Sequence, residues 1–232
     1  MSLRAEFDLL ADEYDSLHKA NVAITGEEPA FFAHYKVADL RQFVRREGAP
    51  ARDILDFGSG IGNSIPAFRS CFPQSRLSCA DVSPRSIEIA RSRFPGPEQH
   101  VLVKRRVPLA SCSQDIVFSA CVFHHIPHEE HLRWLVELRR LVRPGGLLVV
   151  YEHNPHNPLT VHAVRACPLD VNARLVAPAE LRSCAAQAGW RQARAAYKLF
   201  FPRALGALRP LEPRLEWLPL GAQYRLTARQ TG

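Results

Sequence analysis

Residues 54–63 read "ILDFGSGIGN", a short apolar run followed by three glycines at every second position. An apolar run that ends at such a turn is typical of a buried strand of a parallel sheet. Gly58, Gly60 and Gly62 let the backbone approach a ligand closely, which a Cβ would prevent. A helix that follows the turn directs its N–H groups and the positive end of its dipole toward that ligand. The stretch therefore predicts a strand, a binding turn and a helix.

Short apolar runs alternate with amphipathic segments beyond this turn, a pattern typical of a parallel sheet covered by helices. We predict strands at residues 52–57, 76–80, 100–103, 115–121 and 147–151, and two more in "RQARAAYKLFF" and "AQYRLTARQ". Helices are predicted after the N-cap Ser83 with Pro84, from Leu132 to a stop at Pro144-Gly145-Gly146, and from Pro178 to Gly189. The pattern predicts an α/β, Rossmann-like, doubly wound fold.

The chain has 232 residues, a length that suits one α/β domain with insertions. Residues 1–49 are predicted to form an N-terminal helical cap, because apolar residues recur at helical spacing around Phe7–Leu17 and again up to Gly48. Residues 50–232 are predicted to form the core. The segment that starts with "EHNPHNPLT" is rich in Pro and Asn, so residues 153–176 are predicted to be an irregular insertion or lid.

Composition and charge exclude several classes of protein. Hydrophobic residues make up 47% and charged residues 23% of the chain, as in ordinary globular proteins. The chain has no apolar run of about 18 residues, and acids lie where a signal peptide would be apolar, so a cytoplasmic location is expected. Six cysteines without CxxC pairs argue against a zinc or disulfide framework. The net charge of +7 is spread along the chain, which disfavours nucleic acid as a partner.

An acid completes the binding turn. Asp81 ends the next predicted strand about 20 residues after the turn, the offset at which a carboxylate accepts hydrogen bonds from ribose hydroxyls. Dinucleotide sites use G-x-G-x-x-G, whereas this turn is G-x-G-x-G and follows Asp56, which would repel a pyrophosphate. A cationic amino-acid portion would be attracted instead, which favours S-adenosylmethionine. An NAD-dependent oxidoreductase of related fold and a non-enzymatic S-adenosylmethionine-binding regulator remain as alternatives.

Four segments in succession, "ILDFGSGIGN", "CADVSPRSIEIA", "DIVFSACVFHHIP" and "LRRLVRPGGLLVVYEHNP", resemble motifs of the class I S-adenosylmethionine-dependent methyltransferases. The resemblance covers about residues 50–155 and implies a mostly parallel, seven-stranded sheet whose last strand is antiparallel. It also implies S-adenosylmethionine as cofactor and S-adenosylhomocysteine as product. The cofactor-binding residues that it implies are Asp56, Gly58, Ser59, Gly60 and Gly62 at the turn, Asp81 at the ribose, Val82 at the adenine, Ser119 and Ala120 beneath the cofactor, and Tyr14 in a lid. Relatives often carry an acid after the third strand, but "VLVKRRVPLASCSQD" has none there, so the adenine contact is left open.

The acceptor should bind at the carboxyl ends of the strands. His124 and His125 follow the fourth predicted strand and are candidate general bases for a hydroxyl or acidic carbon. The sequence has no Asn-Pro-Pro-Tyr type tetrapeptide there, which disfavours methylation of a nucleobase or glutamine amide. Acceptor binding is predicted for Tyr35, His153, Asn154 and His156. No metal site is expected, because no acid or cysteine joins these histidines at ligand spacing.

The predicted acceptor is a small molecule or a lipid- or sugar-linked metabolite, with O- or C-methylation favoured over N-methylation and RNA less favoured. Residues 200–220, "FFPRALGALRPLEPRLEWLPL", mix apolar residues, arginines and prolines. Such a segment suits either a peripheral contact with a lipid surface or a packed cap over a sheet edge. The identity of the acceptor, the oligomeric state and the pathway are left open by the sequence.

Overall fold

The computed structural model describes residue 8 and residues 11–231. Its α-helices are α1 (Tyr14–Val22), α2 (Pro29–Glu47), α3 (Ile65–Cys71), α4 (Pro84–Arg93), α5 (His128–Leu141), α6 (Pro158–Ala166), α7 (Pro178–Gln187) and α8 (Glu212–Leu215). Its strands are β1 (Asp53–Phe57), β2 (Arg76–Asp81), β3 (Gln99–Leu102), β4 (Gln114–Ala120), β5 (Val142–His153), β6 (Arg191–Lys198) and β7 (Gln223–Arg229). Four 3₁₀ segments are Ala23–Thr25, Phe123–His125, Pro168–Asp170 and Arg203–Leu211. Phe7, at the start of the predicted first helix, lies outside the described residues.

The strands form one seven-stranded sheet in the order β3-β2-β1-β4-β5-β7-β6. The strands β1 to β5 pair in parallel, whereas β7 runs antiparallel to both β5 and β6. The prediction of a mostly parallel, Rossmann-like sheet with an antiparallel last strand is therefore confirmed. The strand order reverses between β1 and β4, and open α/β sheets bind their ligands at such a point.

Two apolar layers cover the sheet because successive side chains of a strand point to opposite faces. Ile54 and Leu55 are both fully buried and belong to different layers. The layer around Ile54 includes Leu40 of α2 and Phe68 of α3. The layer around Leu55 includes Leu138 of α5 and residues of α7. The layers fix β1, and with it the start of the glycine turn, inside the molecule.

One helix lies where the sequence predicted irregular structure. The Asn157 side chain accepts hydrogen bonds from the N–H groups of Leu159 and Thr160, at 2.9 and 3.1 Å, and Pro158 occupies the first helical turn. An N-cap asparagine followed by proline is a helix start signal. The prediction of an irregular segment over residues 153–176 is therefore wrong for α6, because the pair Asn157-Pro158 begins a helix there.

The end of α5 also differs from its prediction. The helix ends at Leu141, and Val142 is already extended and paired with Gln114 of β4. The register of the β4–β5 pair shifts between Gln114 and Ile116, which accommodates the Pro-Gly-Gly segment inside β5. A bulge of this kind lets a strand continue past residues that would otherwise end it.

A buried charge cluster ties α2 to the far half of the sheet. Asp39 accepts hydrogen bonds from the Lys198 ammonium at 2.7 Å, the Arg225 guanidinium at 2.7 Å and the Tyr151 hydroxyl at 2.6 Å. These partners come from β6, β7 and β5. The N-terminal helices are thereby fastened to the core, while the division into a cap of residues 1–49 and a core of residues 50–232 stays a prediction.

The segment of residues 200–220 folds back onto α2. Glu212 accepts hydrogen bonds from the Tyr35 hydroxyl at 2.5 Å and from the N–H groups of Phe200 and Phe201. Trp217 is 75% exposed on the outer side of this segment. Lipid contact through these residues stays a prediction. Among the helices of the described residues, none has the length and apolarity needed to cross a membrane.

Candidate cofactor and acceptor site

The glycine turn after β1 is fastened to the end of β2. The N–H groups of Gly58 and Ser59 donate to the carbonyl of Ala80 at 2.8 and 3.1 Å. The backbone of Gly58 has a φ of +77°, and a Cβ on this residue would lie 2.3 Å from a methyl group of Val122. Only glycine suits this position, since both the conformation and the space exclude a side chain.

Asp81 holds the turn from the ribose side. One carboxylate oxygen accepts from the Gly60 N–H at 2.7 Å, and the other accepts from the Ser83 N–H at 2.9 Å. Burial raises the pKa of Asp81, although these two hydrogen bonds act in the opposite direction. Each carboxylate oxygen has a second lone pair. Asp81 is thus held rigidly and retains acceptors for two hydroxyl groups.

Buried polar atoms without partners surround the same turn. The Asp56 Oδ2, Ser59 Oγ and Ser119 Oγ atoms find no hydrogen-bond partner among the residues that the structure describes. Burial and the carboxylate of Asp81 raise the pKa of Asp56 to about 7. Unsatisfied buried groups are costly, so such a cluster points to a polar ligand. A Cβ built on Gly60 would meet no protein atom within 4 Å, which leaves space for that ligand.

These features fit the parts of S-adenosylmethionine. Its ammonium and carboxylate groups would satisfy the orphaned atoms near Asp56, and its ribose would take the acceptors of Asp81. The cleft contains about 770 Å³ of empty space, part of it open to solvent. The predicted residues that line it are Tyr14, Gly58, Gly60, Asp81, Val82, Ala120 and His125.

Apolar residues that the sequence analysis missed complete the cleft. They include Phe57, Ala80, Val103, Val122, Ile126 and Trp134, together with the polar residues Ser86 and Cys121. Val103 directly follows β3, where an acid was sought for the adenine. Aliphatic and aromatic walls with few polar groups suit a flat heterocycle. The signal for Val103 was therefore its place after the third strand and not its residue type.

Gly62 has a different task from the one predicted. A Cβ on Gly62 would lie 2.9 Å from the Ile65 side chain and 3.1 Å from that of Ala90. Gly62 is also absent from the residues that line the cleft. This third glycine lets α3 and α4 pack closely.

His124 is enclosed by two carboxylates. Its Nδ1 lies 2.6 Å from Glu152 Oε2, its Nε2 lies 3.3 Å from Asp170 Oδ1, and it is 2% exposed. Burial alone would lower the pKa of His124, but the charge of Glu152 and the hydrogen bonds to both carboxylates raise it to about 10. An imidazolium with both nitrogens engaged cannot take a proton. The geometry is thus contrary to the predicted role of His124 as a base.

His125 faces the cleft beside this cluster. Its Nε2 lies 3.4 Å from Asp170 Oδ1. Burial and the neighbouring His124 lower the pKa of His125 to about 3, so its imidazole is neutral near pH 7. Because His125 lines the cleft and His124 does not, His125 is the member of the pair that an acceptor can reach.

A thiol next to the cleft was not predicted. Cys121 follows β4 with a φ of +58°, and its Sγ lies 3.5 Å from the Lys36 ammonium and 3.5 Å from the Gln223 amide nitrogen. Burial alone would raise the pKa of Cys121, but Lys36 and His153 lower it to about 7. The place of Cys121 after the fourth strand was a usable signal. Lys36 gave none, because it reaches the site from α2.

The four residues predicted to bind the acceptor separate in the structure, and none of them lines this cleft. Tyr35 donates its hydroxyl to Glu212. Asn154 is fully buried, and its amide donates to the carbonyls of Pro219 and Gly221. The imidazole of His156 is exposed. His153 alone stays near the site, with its ring centroid 5.1 Å from that of His124. Asn154 was predicted to bind the acceptor, but its buried amide instead holds the loop before β7.

Comparison with known proteins shows that the central part of the chain is similar to methyltransferases. Residues 55–148 match the family model described as a methyltransferase domain. The malonyl-[acyl-carrier protein] O-methyltransferase of Hahella chejuensis is 35% identical over 106 residues, which cover 45% of this chain and 37% of the relative. The demethylmenaquinone methyltransferase of Chlorobaculum parvum is 27% identical over 161 residues, or 68% of this chain and 63% of the relative.

Other relatives are named as methyltransferases of tRNA. The tRNA N(3)-methylcytidine methyltransferase trm141 of Schizosaccharomyces pombe is 27% identical over 151 residues, which cover 60% of this chain and 58% of the relative. Each of these matches spans less than two thirds of the relative. In three dimensions, the chain resembles an S-adenosylmethionine-dependent methyltransferase of Thermotoga maritima with a TM-score of 0.69 at 18% identity, over 99% of this chain and 100% of that one. That structure supports the fold alone.

Proposed function

We propose that the chain is a class I S-adenosylmethionine-dependent methyltransferase, which the match of residues 55–148 to a methyltransferase domain supports, and that it transfers the methyl group of S-adenosylmethionine to a small-molecule acceptor. The single observation that carries the proposal is the continuous cleft from Asp81, past the glycine turn, to His125. One end of this cleft suits a ribose, and the other lies at the carboxyl end of β4.

S-adenosylmethionine supplies an electrophilic methyl group on a sulfonium, which the acceptor attacks in line. The main task of the protein is then to align the two reactants and to exclude water. Asp56 would hold the ammonium group and Asp81 the ribose hydroxyls. Cys121 and His125 lie at the acceptor end of the cleft. We propose contact with the acceptor for His125, whereas its role as a general base stays a prediction from the sequence.

The charge of the lining favours an oxygen or carbon acceptor over an amine. Among the described residues that line the cleft, Asp81 is the only carboxylate, and its place is at the ribose end. Asp170 lies beside His125 but is not among the lining residues, and a hydroxyl or a carboxylate oxygen can accept a hydrogen bond from the neutral imidazole of His125. The names of two relatives, an O-methyltransferase for malonyl-[acyl-carrier protein] and a demethylmenaquinone methyltransferase, support a metabolite acceptor.

The competing functions are RNA methylation and cofactor binding without turnover. The tRNA methyltransferases among the relatives favour the first. The spread of the arginines disfavours RNA, since RNA-binding surfaces concentrate positive charge. A cofactor site does not by itself prove turnover, which leaves the second for experiment.

The test is methyl transfer from labelled S-adenosylmethionine into separate pools of organic acids, acyl carrier protein thioesters, quinols, amines and total tRNA. We expect label in the acid, thioester or quinol pools, with the product identified by mass spectrometry. Label confined to tRNA or to amines would overturn the proposed acceptor class. The variant D81A should abolish transfer in every pool, because it loses the ribose contact. Cofactor binding by the wild type without transfer to any pool would favour the regulator.

A further inference from the structure

Three side chains of metal-ligating type meet at the acceptor end of the cleft. His124 and His125 come from the 3₁₀ segment after β4, and Asp170 comes from the 3₁₀ segment after α6. One ligand atom from each lies within 4.8 Å of the other two. We propose that these three residues bind a divalent transition-metal ion, with Zn²⁺ as the preferred ion. Two imidazoles and a carboxylate form a donor set that such ions accept.

The distances also suit a shared ion, which would replace the proton on His124 Nε2 and the long hydrogen bond that it makes to Asp170. Asp170 Oδ1 lies 3.3 Å from His124 Nε2 and 3.4 Å from His125 Nε2. Charge-assisted hydrogen bonds between a nitrogen and a carboxylate are shorter, roughly 2.7–2.9 Å. Two ligand atoms of a tetrahedral zinc site, with bonds of roughly 2.0–2.1 Å, are about 3.3 Å apart. The carboxylate oxygen is therefore spaced from both imidazoles as it would be around a shared ion.

A second carboxylate orients the first ligand. Glu152 Oε2 lies 2.6 Å from His124 Nδ1, which leaves Nε2 directed at Asp170. The other oxygen of Glu152 accepts from the N–H groups of Val122 and Phe123 at 2.8 and 2.7 Å, and Glu152 is fully buried. Metal-binding histidines usually donate their second nitrogen to such a carboxylate, which fixes the ring and its tautomer.

The sequence expectation of no metal site rested on spacing, and spacing could not reveal Asp170. Asp170 comes from the insertion after β5. The fold brings its 3₁₀ segment, Pro168–Asp170, against the 3₁₀ segment that follows β4, Phe123–His125. The N–H of Arg174 donates to the carbonyl of His124 at 2.8 Å, which holds the two segments against each other. The site is thus built by tertiary structure from two distant parts of the chain.

The ion would lie beside the acceptor. Because His125 lines the cofactor cleft, an ion on three protein ligands would have a coordination position near that cleft for an oxygen of the acceptor or for water. Binding there would orient a hydroxyl or carboxylate oxygen toward the methyl group. This part of the inference rests on the proposed function, whereas binding of the ion does not.

The test is titration of the chelator-treated full chain with Co²⁺ alone, followed by the visible absorption of the bound ion. We expect one equivalent with the intense absorption of a tetrahedral site, and displacement by Zn²⁺. The variants D170N and H125N should each bind Co²⁺ at least about tenfold more weakly. Circular dichroism and urea unfolding verify that each variant is folded.

A matched control is available on α5. His128 forms an ion pair with Glu180 at 2.5 Å, and this pair belongs to no three-residue group of ligand type among the described residues. The variant E180Q should leave Co²⁺ binding unchanged. Lack of saturable binding by the wild type, or wild-type affinity in D170N, would overturn the metal site. The readout needs neither cofactor nor acceptor, so absence of methyl transfer would count against the proposed function and not against the metal site.

Discussion

Substitution of Gly60 tests whether the glycine turn borders the ligand. Its φ is +50°, and a Cβ would meet no protein atom within 4 Å, so the variant G60A pays only the cost of a left-handed alanine, about 1–2 kcal/mol. The added methyl group would lie in the cleft that Gly60 lines. We expect G60A to stay folded and to bind S-adenosylhomocysteine at least about tenfold more weakly by calorimetry.

Gly48 provides the matched control for that variant. It has a φ of +59° and equally open surroundings, but it lies at the end of α2. G48A should lose similar stability and keep wild-type affinity. Equal affinities of G60A and the wild type would remove the turn from the cofactor site.

We expect the affinity for the cofactor to depend on pH through Asp56. Its pKa is raised to about 7 by burial and by Asp81, so the carboxyl is largely protonated below that value and ionised above it. The cationic ammonium group of the ligand should bind the ionised form of Asp56. Affinity for S-adenosylhomocysteine should therefore rise with pH, by about tenfold between one unit below and one unit above the pKa.

The variant D56N distinguishes this effect from ionisation of the ligand. It cannot ionise, so its affinity should be low and should lack the rise through about pH 7, while any titration of the ligand persists. Parallel pH profiles for D56N and the wild type would mean that another group controls binding.

Asp39 attaches helix α2 to strands β5, β6 and β7 of the sheet. Its carboxylate faces the buried cations Lys198 and Arg225. Loss of one partner of a buried ion pair costs about 3–5 kcal/mol, because the remaining charge is uncompensated. Glu216 also contacts Lys198, so we expect D39N to lose about 3 kcal/mol of unfolding free energy in urea titrations.

The control is an exposed pair at the start of the same helix. Lys19 and Glu28 are 3.1 Å apart, and both side chains are more than 60% exposed. E28Q should change the unfolding free energy by less than about 1 kcal/mol. Burial opposes ionisation of Asp39, but Arg225 and Lys198 lower its pKa, so its stabilisation is present above about pH 4 and is lost as the pH falls further. A difference between D39N and wild type that persists in acid would contradict this account.

Most of the helices and strands could be predicted from the sequence. The run before Gly58 and the Ser83-Pro84 start signal encode their structures locally, so β1 and α4 were predicted where they lie. α6 was missed because Asn157 and Pro158 start a helix as readily as they break one. Such ambiguity is resolved by packing, which a single sequence does not display.

Site residues could be predicted from the sequence only where they lie at the ends of strands. Asp56 and Asp81 follow from the turn and its offset; Asp81 lines the cofactor cleft, and Asp56 is buried at the end of β1 beside the turn. Lys36 and Asp170 reach the acceptor end from α2 and from the insertion, and nothing in their local sequence marks them. The donor half of the site is therefore encoded locally, whereas the acceptor half is created when the N-terminal helices and the insertion close around the sheet edge.

That closure predicts how the whole molecule responds to the cofactor product. Tyr14 of α1 lines the cleft, and Arg85 of α4 binds Asp12 just before α1 at 2.6 Å. S-adenosylhomocysteine at 100 times its dissociation constant should add about 2.7 kcal/mol of stability, or about 5–10 °C in Tm. Because the ligand would lie between α1 and the glycine turn, hydrogen exchange in α1 should slow together with exchange in the turn. At the same concentration of S-adenosylhomocysteine, G60A with tenfold weaker binding should gain only about 1.4 kcal/mol, and exchange in its α1 should slow less. A rise in Tm with unaltered exchange in α1 would mean that the cofactor binds without closing these helices over it, and the acceptor end would then have to be completed by another part of the chain.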